Sequence, residues 1–230
     1  MSIPEGAESA RDAHVWKRDG FDHYVEPLWV SNRLFEEEKF TDSIWDPACG
    51  FGRICFSARH NGYRKIWGTD IVRRGQFNLD FEGDFLKLPQ AADTADNIVT
   101  NPPFEKFKPF ALHALSLARC KVAMIWTIRT LPAARWLEST PLRKVLLLTP
   151  RPSMPPGHTI EAGKTPSGGT ADYCWLIWEQ GFRGEPTFGW LKRDGNEHVA
   201  ADGSSIGATD QPAIKHTESS PRSVGQPTGT

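Results

Sequence analysis

Apolar residues in this chain come in short dense runs, separated by polar stretches rich in glycine and proline. Runs near 44–46, 65–69, 81–83, 96–100, 122–126, 145–148 and 173–178 have the length and bounding residues of buried strands. Helical spacing appears between them. Leu28, Val30, Leu34 and Phe35 predict an opening helix over 27–40, entered through Pro27. A second helix starts at Ile54-Cys55-Phe56-Ser57-Ala58. From Glu105 to Arg119, Phe107, Phe110, Ala111, Ala114, Leu115 and Ala118 mark one apolar face. Leu131 to Ser139 predicts a short helix, and 149–171 a long loop of the kind that often carries function. Strand, glycine-rich turn and helix in succession make the first unit of a doubly wound α/β fold. From Asp194 the chain is polar and rich in Gly, Ser, Thr and Pro, which predicts a disordered tail over 194–230. Residues 1–23 form an N-terminal extension, and 24–193 the single domain.

The strand ends carry the chemistry. Ile44-Trp45-Asp46 runs into Pro47-Ala48-Cys49-Gly50-Phe51-Gly52, where the two glycines allow a tight turn and close backbone approach. The third glycine of a dinucleotide pattern is missing, and no Gly-Lys-Ser/Thr follows to cradle phosphate. The next strands end in Asp70 and in the pair Asp84-Phe85. An acid about twenty residues after the glycines is placed for ribose hydroxyls. Three strand-end acids, Asp46, Asp70 and Asp84, suit a cationic, amine-rich adenosine ligand such as S-adenosylmethionine. The fourth strand end is Asn101-Pro102-Pro103-Phe104. Two prolines fix φ and hold the preceding residues extended, so the turn is stiff. The Asn101 amide oxygen and the Pro102 carbonyl can both accept from one NH₂ group, and Phe104 offers a flat face for a planar ring. Acceptors around an amine conjugated to its ring aim its lone pair, which is catalysis by positioning. A structural proline loop after a strand is the competing reading.

These motifs resemble those of class I S-adenosylmethionine-dependent methyltransferases, and most of all the phage and prophage enzymes that methylate the N6 amine of adenine in DNA. Asp46-Pro47-Ala48-Cys49-Gly50-Phe51-Gly52 looks like that family's cofactor loop, Asp70 with Ile71 its ribose-binding position, Asp84-Phe85 its adenine pocket, and Asn101 to Phe104 its catalytic tetrad. Tyr24-Val25-Glu26-Pro27 is similar to the family's N-terminal segment at the methionine end of the cofactor, with Glu26 where Thr is common. The segments 151–156 and 172–178 look like the phage type as well. The resemblance spans roughly 24–192. It implies a Rossmann-like, mostly parallel seven-stranded sheet with helices on both faces, and DNA with a flipped adenine as substrate. RNA bases and protein glutamine remain alternatives, as does a non-catalytic nucleic-acid-binding subunit of the same fold.

Composition changes this picture little. A chain of 230 residues holds one α/β domain and a tail, and its formal net charge of −1 gives no global nucleic-acid signal. The window 129–164 carries six basic residues against Glu138 and Glu161, an excess of +4. That is either a solvated face or a phosphate patch, with Arg129, Arg143, Lys144 and Arg151 as its candidates. The four cysteines form no metal or redox pattern, so no metal is expected. The seven histidines are scattered, and most of the nine tryptophans fall in or beside strands. No apolar leader or membrane-length run is present, which predicts a reduced, cytoplasmic protein, monomer or homodimer.

Overall fold

The computed structural model describes residues 23–75, 77–89, 95–164 and 169–193. The expected disordered tail, and the expected extension except His23, lie outside these residues. The chain order is α1 (Leu28–Glu37), β1 (Ser43–Asp46), α2 (Arg53–His60), β2 (Lys65–Asp70), β3 (Phe81–Glu82), β4 (Ala95–Thr100), α3 (Phe107–Leu117), β5 (Ala118–Thr127), β6 (Leu142–Thr149), α4 (Gly157–Glu161), β7 (Tyr173–Glu179) and β8 (Thr187–Lys192). The strands form one sheet in the order β3-β2-β1-β4-β5-β7-β6-β8. Every neighbouring pair is parallel except the two that β7 makes, with β5 and with β6. The chain first builds outward from β1 to β3, then returns to place β4 beside β1. That reversal makes the β1/β4 boundary a topological switch point, where open α/β sheets place ligands beyond the strands' carboxyl ends.

The dense apolar runs are explained by burial on both faces. Successive side chains of a strand point to opposite faces. Ile98, Val122, Met124, Cys174, Leu176 and Trp178 pack on one face with α3. Val99, Ala123, Ile125, Trp175 and Ile177 pack on the other, with Val30, Leu34 and Phe35 of α1 and Ile54 and Ala58 of α2. Strands covered on both sides read as continuous hydrophobic runs. Three of their indoles are satisfied: Trp45 Nε1 donates to Thr69 Oγ1 (3.0 Å), Trp175 Nε1 to the Val30 carbonyl (3.1 Å) and Trp178 Nε1 to Thr140 Oγ1 (2.9 Å).

The structure departs from the sequence reading in four places, one of them the short helix α4 inside the loop expected over 149–171. There are eight strands rather than seven, because Thr187–Lys192 adds an edge strand to β6. Only Leu191 of that strand is buried, and Phe188 and Trp190 are exposed, so its apolar residues do not form a buried run like those of the inner strands. The third helix stops at Leu117, and Ala118 already belongs to β5, whose polar start (Arg119, Lys121) hid it. The helix expected over 131–139 is two 3₁₀ turns, Ile128–Ala133 and Arg135–Ser139, the first with Pro132 inside it. No helix among the described residues is long and apolar enough to cross a membrane.

Candidate active site

The carboxyl ends of β1, β2, β3 and β4 open on one pocket, closed from above by the segment His23–Glu26. The turn after β1 is built on backbone bonds. Gly52 N–H donates to the Cys49 carbonyl (2.7 Å), Cys49 N–H to the Thr69 carbonyl (3.0 Å) and Gly50 N–H to Asp70 Oδ2 (2.8 Å). Gly50 and Gly52 both have left-handed φ, 51° and 76°. A Cβ on Gly52 would stand 2.1 Å from the Phe77 ring, and one on Gly50 2.5 Å from His23 Nε2. Neither position admits a side chain without displacing an aromatic ring. Cys49 is buried in this turn, and burial pushes its thiol far up, so it is a packing residue rather than a nucleophile.

The acids of the pocket are buried. Asp46 is 1% exposed and accepts from the Ala48 N–H at 3.2 Å. Burial pushes its carboxyl well above the ordinary range, and the nearby charge of Glu26 adds to this. Burial also raises Asp70 and Glu26, against hydrogen bonds that pull the other way. Asp70 receives the Gly50 and Val72 amides, one on each oxygen, which leaves lone pairs on both for further donors. Asp84 caps the 3₁₀ turn Phe85–Lys87 by accepting from Leu86 N–H at 3.1 Å. Phe85 is held between Trp45, Phe110 and His113, is buried, and lines the pocket. Two cations answer these acids. Arg53 Nη1 donates to the Glu26 carbonyl (2.9 Å), and Arg74 Nε lies 4.0 Å from Asp70 Oδ1.

Asn101 leaves β4 directly into this pocket. Its Nδ2 donates to the Tyr24 carbonyl (2.7 Å) and to Glu26 Oε2 (2.9 Å). Pro102 is buried beneath it, Pro103 forms part of the wall, and Lys106 N–H closes the turn on the Pro103 carbonyl (3.0 Å). Phe104 is half-buried between two tyrosines. Its ring lies nearly parallel to Tyr24 (6.2 Å, 8°) and tilted to Tyr173 (5.8 Å, 33°). The segment bearing Tyr24 is itself pinned to the long loop: Val25 N–H donates to the Pro155 carbonyl and Gly157 N–H to the His23 carbonyl, each at 2.9 Å.

No protein-family model and no curated protein sequence matches the chain. Solved structures do. One described as a class I S-adenosylmethionine-dependent methyltransferase from Listeria monocytogenes superposes with a TM-score of 0.50 at 13% identity, over 74% of this chain and 66% of that one. The methyltransferase subunit of a type I restriction-modification system from Streptococcus thermophilus does so with a TM-score of 0.50 at 11% identity, over 74% of this chain and 47% of that one. The fold is that of the class I S-adenosylmethionine-dependent methyltransferases. The chain spans less than two thirds of the length of either structure.

Within this methyltransferase fold, most of the expected site residues come together. Tyr24, Asp46, Ala48, Cys49, Gly50 and Asp70 line the pocket, and so do Ile71, Asp84, Phe85, Asn101 and Pro103. Pro27 instead precedes α1, and Gly52 shapes the turn from behind. The basic window is not one surface. Arg143 and Lys144 lie at the start of β6, at the end of the strands opposite Asn101, and both bind Glu38 there (Lys144 Nζ to Oε2, 2.9 Å). Arg143 also meets Glu179 at 2.7 Å. Their pairing with a residue more than a hundred positions earlier was invisible in a linear charge window. Arg129 is exposed just after β5, and Arg151, after β6, makes a bidentate pair with Asp172 (2.5 and 3.1 Å). Of the four candidates, these two remain on the side of the Asn101 turn. Sequence reasoning missed Arg53 and Arg74 in the pocket wall. The signal was available, since Arg53 opens the helix after the glycine turn and Arg74 lies one helical turn's spacing beyond Asp70.

Proposed function

We propose that the chain is an S-adenosylmethionine-dependent DNA methyltransferase acting on the N6 amine of adenine. The observation that carries this is the position of Asn101. It stands at the end of β4, in the wall of the same pocket that holds Asp46 and Asp70. The pocket's donor set suits the cofactor. The carboxylate of Asp46 faces a ligand that carries positive charge, Arg53 is at hand for a carboxylate, Asp70 has lone pairs for ribose hydroxyls, and the Asp84–Leu86 turn borders a planar ring.

Bound there, S-adenosylmethionine supplies an electrophilic methyl group. The protein's work is on the amine. Asn101 Oδ1 and the Pro102 carbonyl accept its two hydrogens and turn its lone pair out of conjugation. Pro103 holds the turn rigid, so the acceptors are in place before substrate arrives. Phe104, braced by Tyr24 and Tyr173, takes the face of the base. The adenine must leave the duplex stack to reach this site, or come from a single strand. The amine's excess proton leaves after transfer, so no general base is needed beforehand. The fold-level likeness to a restriction-modification methyltransferase subunit is consistent with DNA as substrate. Methyl-labelled cofactor incubated with DNA, RNA and protein fractions tests the choice. Label in DNA supports the proposal, and label confined to RNA or to protein glutamine overturns it.

A further inference from the structure

Asn101 has two amide hydrogens, and both are engaged: one by the Tyr24 carbonyl and one by Glu26 Oε2. A backbone carbonyl can only accept, and so can an ionised carboxylate. Rotated by half a turn, the Asn101 amide would set its oxygen against two oxygens. The two acceptors therefore decide which end of the amide faces residues 24–26, and they leave Oδ1 as the end presented to a substrate. The Tyr24 contribution comes from the backbone and is indifferent to pH. The Glu26 contribution comes from a carboxylate only 6% exposed.

The charged surroundings of that carboxylate are few. Arg53 on α2 attracts it and also donates to its backbone carbonyl, Asp46 at the end of β1 repels it, and the Cys55 thiol on α2 lies within its field. Burial pushes the Glu26 carboxyl up, while its backbone hydrogen bond, Arg53 and Asn101 pull it down. When protonated, it carries an O–H donor, which serves an oxygen of Asn101 rather than its NH₂. The orienting force on the amide then weakens or reverses.

We infer that Glu26 is a positioning residue whose ionised carboxylate holds the Asn101 amide oxygen toward the methyl acceptor. The inference rests on the reading of Asn101 as the amine's acceptor, but the orientation of its amide can be read without any substrate. The competing role for Glu26 is direct contact with the cationic end of the cofactor, since it lines the same pocket.

The test uses the full chain and the variants Glu26→Gln and Glu26→Ala. The side-chain amide resonances of Asn101, assigned by their loss in Asn101→Ala, are followed against pH. They should titrate in the wild type above the usual glutamate range and lose that inflection in Glu26→Gln. With any acceptor the wild type methylates, Glu26→Ala should lower kcat about tenfold, the worth of one hydrogen bond. Glu26→Gln keeps an acceptor oxygen, so it should recover most of that loss and remove the acid limb of the kcat profile. Affinity for S-adenosylmethionine should change less than about threefold in both. Asn101 resonances that ignore Glu26 overturn the inference. So does a Glu26→Ala defect confined to cofactor affinity with kcat intact. Should no DNA be methylated, the adenine reading fails on its own, and the Asn101 titration still decides the role of Glu26.

Discussion

The Gly50 amide donates to Asp70 Oδ2 at 2.8 Å, which joins the turn after β1 to the end of β2. Two motifs twenty residues apart thus form one rigid object. Asp70→Ala should weaken S-adenosylmethionine binding at least tenfold, the order expected when a charged acceptor is lost and a buried amide is orphaned. Calorimetric titration of the variant measures this. Unchanged affinity would remove Asp70 from the cofactor site.

Asp46 gives a pH signature. Its carboxyl is raised in the folded protein by burial first and by Glu26 next. A raised acid favours folding below its ordinary pKa, and that contribution is lost as pH rises through the raised value. Asp46→Asn should therefore stabilise the ligand-free protein at neutral and alkaline pH, seen as a higher Tm. It should also weaken cofactor binding and reduce the gain in affinity expected of the wild type as pH rises and Asp46 ionises. A variant with a lower Tm than the wild type, or with the pH dependence of binding intact, would contradict this assignment.

Glu38 behaves in the opposite sense. Burial raises its carboxyl, but the hydrogen bonds of Lys121 and Lys144 outweigh burial and hold it below the usual range. Lys121 Nζ stands 2.6 Å from Oε1, and Arg143 contacts the same oxygen. Its contribution is present above the unfolded pKa and disappears as pH falls through the lowered one. Glu38→Ala should cost about 3 kcal/mol at neutral pH, because three cations lose a buried partner. Denaturant unfolding should show a larger loss at pH 7 than at a pH well below the lowered value, where Glu38 is protonated.

That cluster also predicts what Arg143 and Lys144 do not do. Replacing both by Ala should lower stability and leave the salt dependence of DNA affinity unchanged, since both face away from the catalytic turn. Arg129→Ala, on the catalytic side, should reduce that slope. Fluorescence anisotropy across a salt series distinguishes them, and a slope that falls only with Arg143 and Lys144 would reverse the assignment.

Local chemistry made much of the fold readable. Pro47, Gly50 and Gly52 interrupt apolar runs at positions where only a turn fits, and Asn101-Pro102-Pro103 announces a stiff strand end. Trp175 and Ile177 alternate with Cys174, Leu176 and Trp178 across a sheet buried on both faces, so the run reads as strand without ambiguity of length. What stayed hidden depends on distant partners. The β8 strand buries only Leu191, and the Glu38 cluster links α1 to β5 and β6. The bond from Asn101 to Glu26 spans 75 positions, so nothing local to either residue reports it.

The central claim is that Asn101 presents an acceptor to the N6 amine of adenine. DNA incubated with the protein and S-adenosylmethionine, then digested to nucleosides and resolved by mass spectrometry, tests it most directly. The account predicts N6-methyldeoxyadenosine from the wild type. Asn101→Ala should lose turnover by at least two orders of magnitude with cofactor affinity nearly unchanged, because the interaction matters chiefly in the transition state. No N6-methyldeoxyadenosine from the wild type, or wild-type yields from Asn101→Ala, would contradict it.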